Sequence, residues 1–143
     1  MNLYLESSAA LRDLLGGPGC EEIRRLLRTA EIVATSRCTL AEVGRVLSRL
    51  RVLEPAVSAT VAARESQFQT DSDLWVIQPV DEWIWNRCSR PFPMEPVRTL
   101  DAIHLATVEK LGGIIDRLVV LCADDRIRAN ARALGFDVVP HAP

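Results

Sequence analysis

At 143 residues the chain has the length of one ordinary domain, so a single domain over 1–143 is expected. With 48% hydrophobic and 25% charged residues, and only 7 Gly and 8 Pro, its composition excludes disordered, collagenous and low-complexity classes. The 17 basic and 19 acidic residues leave −2 at pH 7, which excludes polyanion binding by bulk charge and makes any nucleic-acid contact local.

Lys110 is the only lysine, so mechanisms needing a second lysine are excluded and guanidinium contacts to phosphates or carboxylates are favoured. Cys20, Cys38, Cys88 and Cys122 form no CxxC pair and meet no histidine cluster. Neither a zinc site nor a disulfide framework is signalled, and reduced thiols are expected. The start of the chain lacks the basic and apolar segments of a signal peptide, and the apolar run Leu118 to Ala123 is too short to span a bilayer. A cytoplasmic protein with no membrane association is the expectation.

In chain order, residues 2–5 (NLYL) read as a strand. Ser7 and Ser8 then offer hydroxyl caps to a helix carrying Leu11, Leu14 and Leu15. Gly16-Gly17-Pro18-Gly19 ends that helix; it follows a helix and precedes Cys20-Glu21, so it is no phosphate-binding loop. A helix is expected over 21–28, a strand over 32–35, and a helix with Leu40, Val43, Val46, Leu47 and Leu50 on one face. A further helix over 54–69, a strand over 74–77 and a helix near 80–88 follow. Pro91, Pro93 and Pro96 force a loop. A helix from Thr99 to Gly112-Gly113 leads to the buried strand LVVLCA, a helix over 125–134, and a last strand over 136–139. Alternating strands and helices define an α/β protein with a mostly parallel sheet.

In such a sheet the functional crevice lies beyond the carboxyl ends of the strands. Glu6 and Asp124 fall there directly, and Glu42 and Asp101 fall in the first turns of helices. Each acid also has a purely structural reading. Thr39-Leu-Ala-Glu42 is a capping box, Asp101 complements a helix N-terminus, and Asp124 or Asp125 is an N-cap. Glu6, at the edge of the core, needs donors or a cation. Taken together, four carboxylates suit hard divalent cations such as Mg²⁺ or Mn²⁺, and phosphodiester hydrolysis uses such sites.

The strings YLESSAALRDLL, TLAEVGRVL, RTLDAIHLATVEKLG and VLCADDRIRANARALGFDVV resemble the successive motifs of PIN-domain ribonucleases, especially VapC-like toxins, over almost the whole chain. The resemblance implies a three-layer α/β/α fold with a central, mostly parallel sheet of about four to five strands. It also implies cleavage of RNA with Mg²⁺ or Mn²⁺, and a cognate small antitoxin. The family's acidic positions fall on Glu6, Glu42, Asp101 and Asp124, with Ser8 at the supporting hydroxyl position and Asp125 as a neighbour. Glu6 departs from the usual aspartate, which lengthens the first acid by a methylene.

His104, one turn after Asp101, is read as a packing residue. Trp75, Trp83 and Trp85 are read as core or dimer-interface residues in an expected homodimer, without an RNA role. Seven arginines between Arg24 and Arg51 face only Glu31 and Glu42. Within that stretch Arg45 and Arg49 are candidates for contact with RNA or antitoxin, the bland reading being a solvated helix face. Two rivals stand beside the nuclease. One is a catalytically weakened PIN-like domain that acts as a protein-binding module. The other, a receiver domain, is disfavoured because Lys110 sits inside a helix instead of after a late strand.

Overall fold

The computed structural model describes residues 1–140, so positions 141–143 of the expected domain lie outside the described residues. Strands β1 (Asn2–Leu5), β2 (Ile32–Ser36), β3 (Val76–Gln78), β4 (Leu118–Leu121) and β5 (Val138–Val139) form one sheet in the order β3-β2-β1-β4-β5. Every pairing is parallel, with Leu3 level with Val33 on one side and Val119 on the other. Between the strands run α1 (Ser7–Leu15), α2 (Cys20–Thr29), α3 (Arg37–Leu53), α4 (Ser58–Ser72), α5 (Glu82–Cys88), α6 (Thr99–Gly112) and α7 (Asp125–Ala133).

The period of two along β1 divides the core. Leu3 and Leu5 point into a cluster with Ala9, Leu14, Ile23, Val43, Leu47 and Phe68, which come from α1 to α4. Tyr4 points the other way, into a cluster with Ile84, Ile103, Leu105, Val108 and Ile127 from α5 to α7. Burial of each large side chain contributes about 1.5–3 kcal/mol before chain entropy is set against it. The result is the expected three-layer arrangement, with the sheet wholly parallel.

The chain builds outward from β1 to β2 and β3, then returns past β1 to lay down β4 and β5. The order therefore reverses between β1 and β4, the place where the ends of strands open into a crevice. Glu6 follows β1, Ser36 closes β2 and Asp124 follows β4. Because α6 delivers the chain to the start of β4, its own first turn lies at that same carboxyl edge.

Several local expectations shift. The α1 cap is Glu6, whose carboxylate accepts from the Ser8 amide, whereas the serine hydroxyls donate to Glu6 instead of capping the helix. The helix expected over 54–69 starts as a short 3-10 turn, Pro55–Val57, because Pro55 cannot donate into a regular first turn; α4 then continues to Ser72. Strand β3 begins at Val76, two positions later than expected, since Trp75 N is held by Ser72 O in the turn after α4 and Leu74 is left in solvent. The last strand is confined to Val138–Val139 because Phe136 N bonds Ala131 O at the end of α7.

The tryptophans also divide. Trp75 is half-buried edge-on to Phe68, with ring centroids 5.4 Å apart, whereas Trp83 and Trp85 on the short α5 stand about half exposed and are not core residues. The proline loop is fastened from α7. Asn130 Oδ1 accepts from Met94 N at 2.9 Å, and its Nδ2 donates to Met94 O at 3.0 Å. The Arg87 guanidinium covers the ring of buried Phe92.

Candidate active site

Glu6 is 2% exposed, yet both of its carboxylate oxygens are satisfied. Ser7 Oγ donates to Oε1 at 2.6 Å, and Oε2 accepts from the Ser8 amide at 2.9 Å, from Ser8 Oγ and from Cys122 Sγ at 3.2 Å. Ser8 Oγ also accepts from the Ala123 amide at 2.9 Å, so one hydroxyl ties the end of β1 to the segment that leaves β4. The charge on Glu6, after burial, pushes the Cys122 thiol far up, keeping it a neutral donor.

Glu42 does not close a capping box. The N-cap of α3 is Ser36, which accepts from the Cys38 amide, and Thr39 is a buried helical residue whose Oγ1 pairs with Thr35 Oγ1 at 2.8 Å. Freed from the helix end, the Glu42 carboxylate lies 2.7 Å from His104 Nε2, while His104 Nδ1 lies 2.8 Å from the Tyr4 hydroxyl. A carboxylate can only accept, so Nε2 carries a proton toward Glu42 and the Tyr4 hydroxyl donates to Nδ1. Burial holds the Tyr4 phenol well above its ordinary value, which keeps that proton in place. Burial alone would raise the Glu42 carboxyl too, but the hydrogen bond from His104 brings it below the usual range.

His104 thus lies between two acids, with Nε2 4.0 Å from Glu6 Oε1 as well. Sequence reasoning treated this histidine as packing. The signal that would have found it is its place one turn after Asp101 in a helix whose N-terminus must face the crevice. Asp101 is partly buried, and its carboxyl is raised first by burial and next by the charge of Asp124, with Glu6 adding to this and Arg126 opposing it. Asp124 is an N-cap, as its structural reading held, accepting from the Arg126 and Ile127 amides at 2.9 and 3.2 Å.

The four acids therefore occupy one edge of the sheet, within electrostatic range of one another through Asp101 and His104, but they are not drawn up to a single ion. Among the described residues, the only three metal-capable side chains with ligand atoms all within 4.8 Å of one another are Cys38, Glu42 and His104. Asp125 is exposed in the first turn of α7. Arg45 and Arg49 are exposed along α3 beyond Glu42, whereas Arg24 and Arg51 of the same stretch are paired, with Asp13 and Glu21 and with Glu65. All four cysteines are free. No described helix is long and apolar enough to cross a membrane.

The switch point of this parallel sheet is lined by acids and a buried histidine, and comparison with known proteins gives the family. Residues 3–133 match the PIN domain. The chain is 36% identical over 137 residues to Ribonuclease VapC46 of Mycobacterium tuberculosis, covering 96% of this chain and 95% of that one. It belongs to the PIN domain family. The fold is shared with a chain of a toxin-antitoxin complex from Klebsiella pneumoniae, at TM-score 0.64 and 18% identity with full coverage of both chains. It is shared too with M. tuberculosis VapC20, a Sarcin-Ricin loop cleaving toxin, at TM-score 0.58 and 22% identity over 99% of this chain and all of that one.

Proposed function

We propose that this chain is a divalent-metal-dependent endoribonuclease, the toxin of a type II toxin–antitoxin pair, built as one domain over 1–143 and working in the cytoplasm. The observation that carries the reading is the placement of Glu6, Glu42, Asp101 and Asp124 at the carboxyl edge of the parallel sheet, around the switch between β1 and β4. Four hard oxygen donors gathered at one edge fit Mg²⁺ or Mn²⁺. Kinship with a relative named as a ribonuclease supports the same chemistry.

Glu6, Glu42, Asp101 and Asp124 are the residues that would hold the ion. When bound, it supplies Lewis acidity toward a phosphate oxygen and a water of lowered pKa. The chain's own work is positional. Ser7 and Ser8 fix the Glu6 carboxylate, His104 fixes Glu42, and the α7 N-terminus fixes Asp124. A bound cation would relieve the repulsion between Asp101 and its acidic neighbours. Arg45 and Arg49 extend the site along α3 with guanidinium groups suited to RNA phosphates or to the carboxylates of a small antitoxin. A homodimer would cover Trp83 and Trp85.

One observation favours a second reading, a weakened PIN-like binding module: both oxygens of Glu6 are already engaged inside the protein. The two readings separate in one assay. Partner-free protein is given a fluorogenic RNA with Mg²⁺, with Mn²⁺ and with excess chelator. Cleavage that needs the cation and is lost in Asp101→Asn supports the nuclease; cleavage undiminished by chelator overturns it, and no cleavage under any condition leaves the binding module.

A further inference from the structure

The sequence offered no zinc motif, yet the fold assembles one from distant parts. Cys38 and Glu42 stand four apart on α3, so their side chains share one helical face, and His104 reaches the same point from α6. Cys38 Sγ lies 3.8 Å from Glu42 Oε2, and His104 Nε2 lies 2.7 Å from that oxygen. We propose that Cys38, Glu42 and His104 form a second metal site, selective for Zn²⁺, whose occupation switches off the acidic site by taking Glu42 from it.

Ligand chemistry gives the selectivity. Thiolate and imidazole are soft and borderline donors that favour Zn²⁺ and reject Mg²⁺, while the acids of the neighbouring crevice offer only the hard oxygens that suit Mg²⁺ and Mn²⁺. Geometry agrees. Ligands about 2.0–2.3 Å from a tetrahedral zinc stand roughly 3.5 Å from one another. The Cys38–Glu42 separation is already close to that value, the His104–Glu42 hydrogen bond must open by about 1 Å, and all three ligand atoms lie within 4.8 Å of one another. Three protein ligands leave a fourth position for water.

The buried second sphere is also in place. The Tyr4 hydroxyl can accept as well as donate, so the imidazole can carry its proton on Nδ1 toward Tyr4 and turn a bare Nε2 to the metal. The Cys38 thiol, pushed up to about 11 by burial and by the Glu42 charge, is protonated in the metal-free protein. Zinc uptake therefore breaks its S–H bond, forms an S–Zn bond and passes the proton to the buffer. No oxidant or reductant is involved.

Binding at this site stands independently of the nuclease reading; the inhibition rests on it. Metal-free protein is titrated with Co²⁺ as a spectroscopic stand-in, and Zn²⁺ is then competed against it with a chromophoric chelator. Wild type is expected to show thiolate-to-cobalt charge-transfer absorption in the near ultraviolet. Cys38→Ser is expected to lose it, with Zn²⁺ affinity falling by more than about 100-fold, beyond the loss that second-sphere changes cause. Cys20→Ser, Cys88→Ser and Cys122→Ser are expected to keep the band, and Tyr4→Phe to bind Zn²⁺ about 10–100-fold more weakly. Thermal melts of each variant verify folding. With RNA and Mn²⁺ present, Zn²⁺ is expected to inhibit wild type and to spare Cys38→Ser. No charge-transfer band in wild type, or a band that survives in Cys38→Ser, overturns the zinc site. A band that follows Cys38 in a protein that never cleaves RNA leaves the site standing and overturns only the nuclease.

Discussion

His104 and Glu42, 62 positions apart in the chain, meet with Nε2 2.7 Å from Oε2 and so join α6 to α3 across the open end of the sheet. Because the pairing holds the Glu42 carboxyl below its ordinary 4.5, the folded state favours its ionised form. The linkage has one sign: this stabilisation is present above the unfolded value and is lost as pH falls through the folded one. Glu42→Gln is expected to lower stability at pH 7 by no more than about 1 kcal/mol, the carboxylate being only half-buried. The difference from wild type should vanish in acid. Urea denaturation of both proteins at neutral and acid pH measures it, and an equal deficit at both would remove the ionic part of the account.

Asp101 behaves in the opposite sense. Burial and the charges of Asp124 and Glu6 raise its carboxyl above the ordinary 3.8, so folding shifts it toward the protonated form relative to the unfolded chain. Its contribution is fully present below the unfolded value and is lost as pH rises through the folded one. At pH 7, Asp101→Asn should therefore melt at the same temperature as metal-free wild type or slightly above, while losing most RNA cleavage and weakening Mn²⁺ binding. Melting curves with and without Mn²⁺, beside a cleavage assay, decide the matter. A variant that unfolds would make Asp101 a structural cap.

At Glu6 the cap and the proposed ligand are the same group. Aspartate is a strong N-cap residue, so Glu6→Asp is expected to keep α1 and to retain or increase cleavage. Glu6→Gln keeps the shape but loses the charge, and should weaken Mn²⁺ binding. Glu6→Ala leaves the Ser7 hydroxyl and the Ser8 amide without their acceptor and should destabilise by about 1–3 kcal/mol. Calorimetric titration of Mn²⁺ into the first two variants tests the ligand role. Identical affinities in wild type, Glu6→Asp and Glu6→Gln would show that Glu6 only caps.

What could be read from the sequence followed from periodicity and from chain order. NLYL and LVVLCA are apolar runs that, alternating with helices, suit a doubly covered parallel sheet, and the polar residue after each then emerges at the carboxyl edge. Glu6 and Asp124 were legible for that reason. Contacts between distant elements were not. The capping-box pattern at Thr39 to Glu42 is genuine as a pattern, but Ser36 starts α3 a turn earlier, and this turns Glu42 toward His104. The cysteines showed no metal spacing along the chain because the third member of their group comes from another helix.

The last prediction concerns α3 beyond Glu42. Arg45 and Arg49 follow at helical spacing and are exposed, while Arg24 and Arg51 are held by acids of the same chain. Exposed guanidinium groups beside an acidic crevice would engage an antitoxin's carboxylates, and an antitoxin arginine laid among Glu6, Glu42, Asp101 and Asp124 would replace the cation by charge substitution. Rim charges act mainly on association rate and are screened by salt, so Arg45→Ala and Arg49→Ala should each weaken the complex by about 1 kcal/mol or less at low salt, and by less still at high salt. The chain is co-expressed with the product of its adjacent small gene, and complex formation and RNA cleavage are followed across a salt series. A complex that forms and retains full nuclease activity, or no complex at all, would remove the toxin–antitoxin part of the proposal while leaving the acidic site to stand on its own assay. Affinity unchanged by either arginine substitution at every salt concentration would move the antitoxin contact off this face of α3.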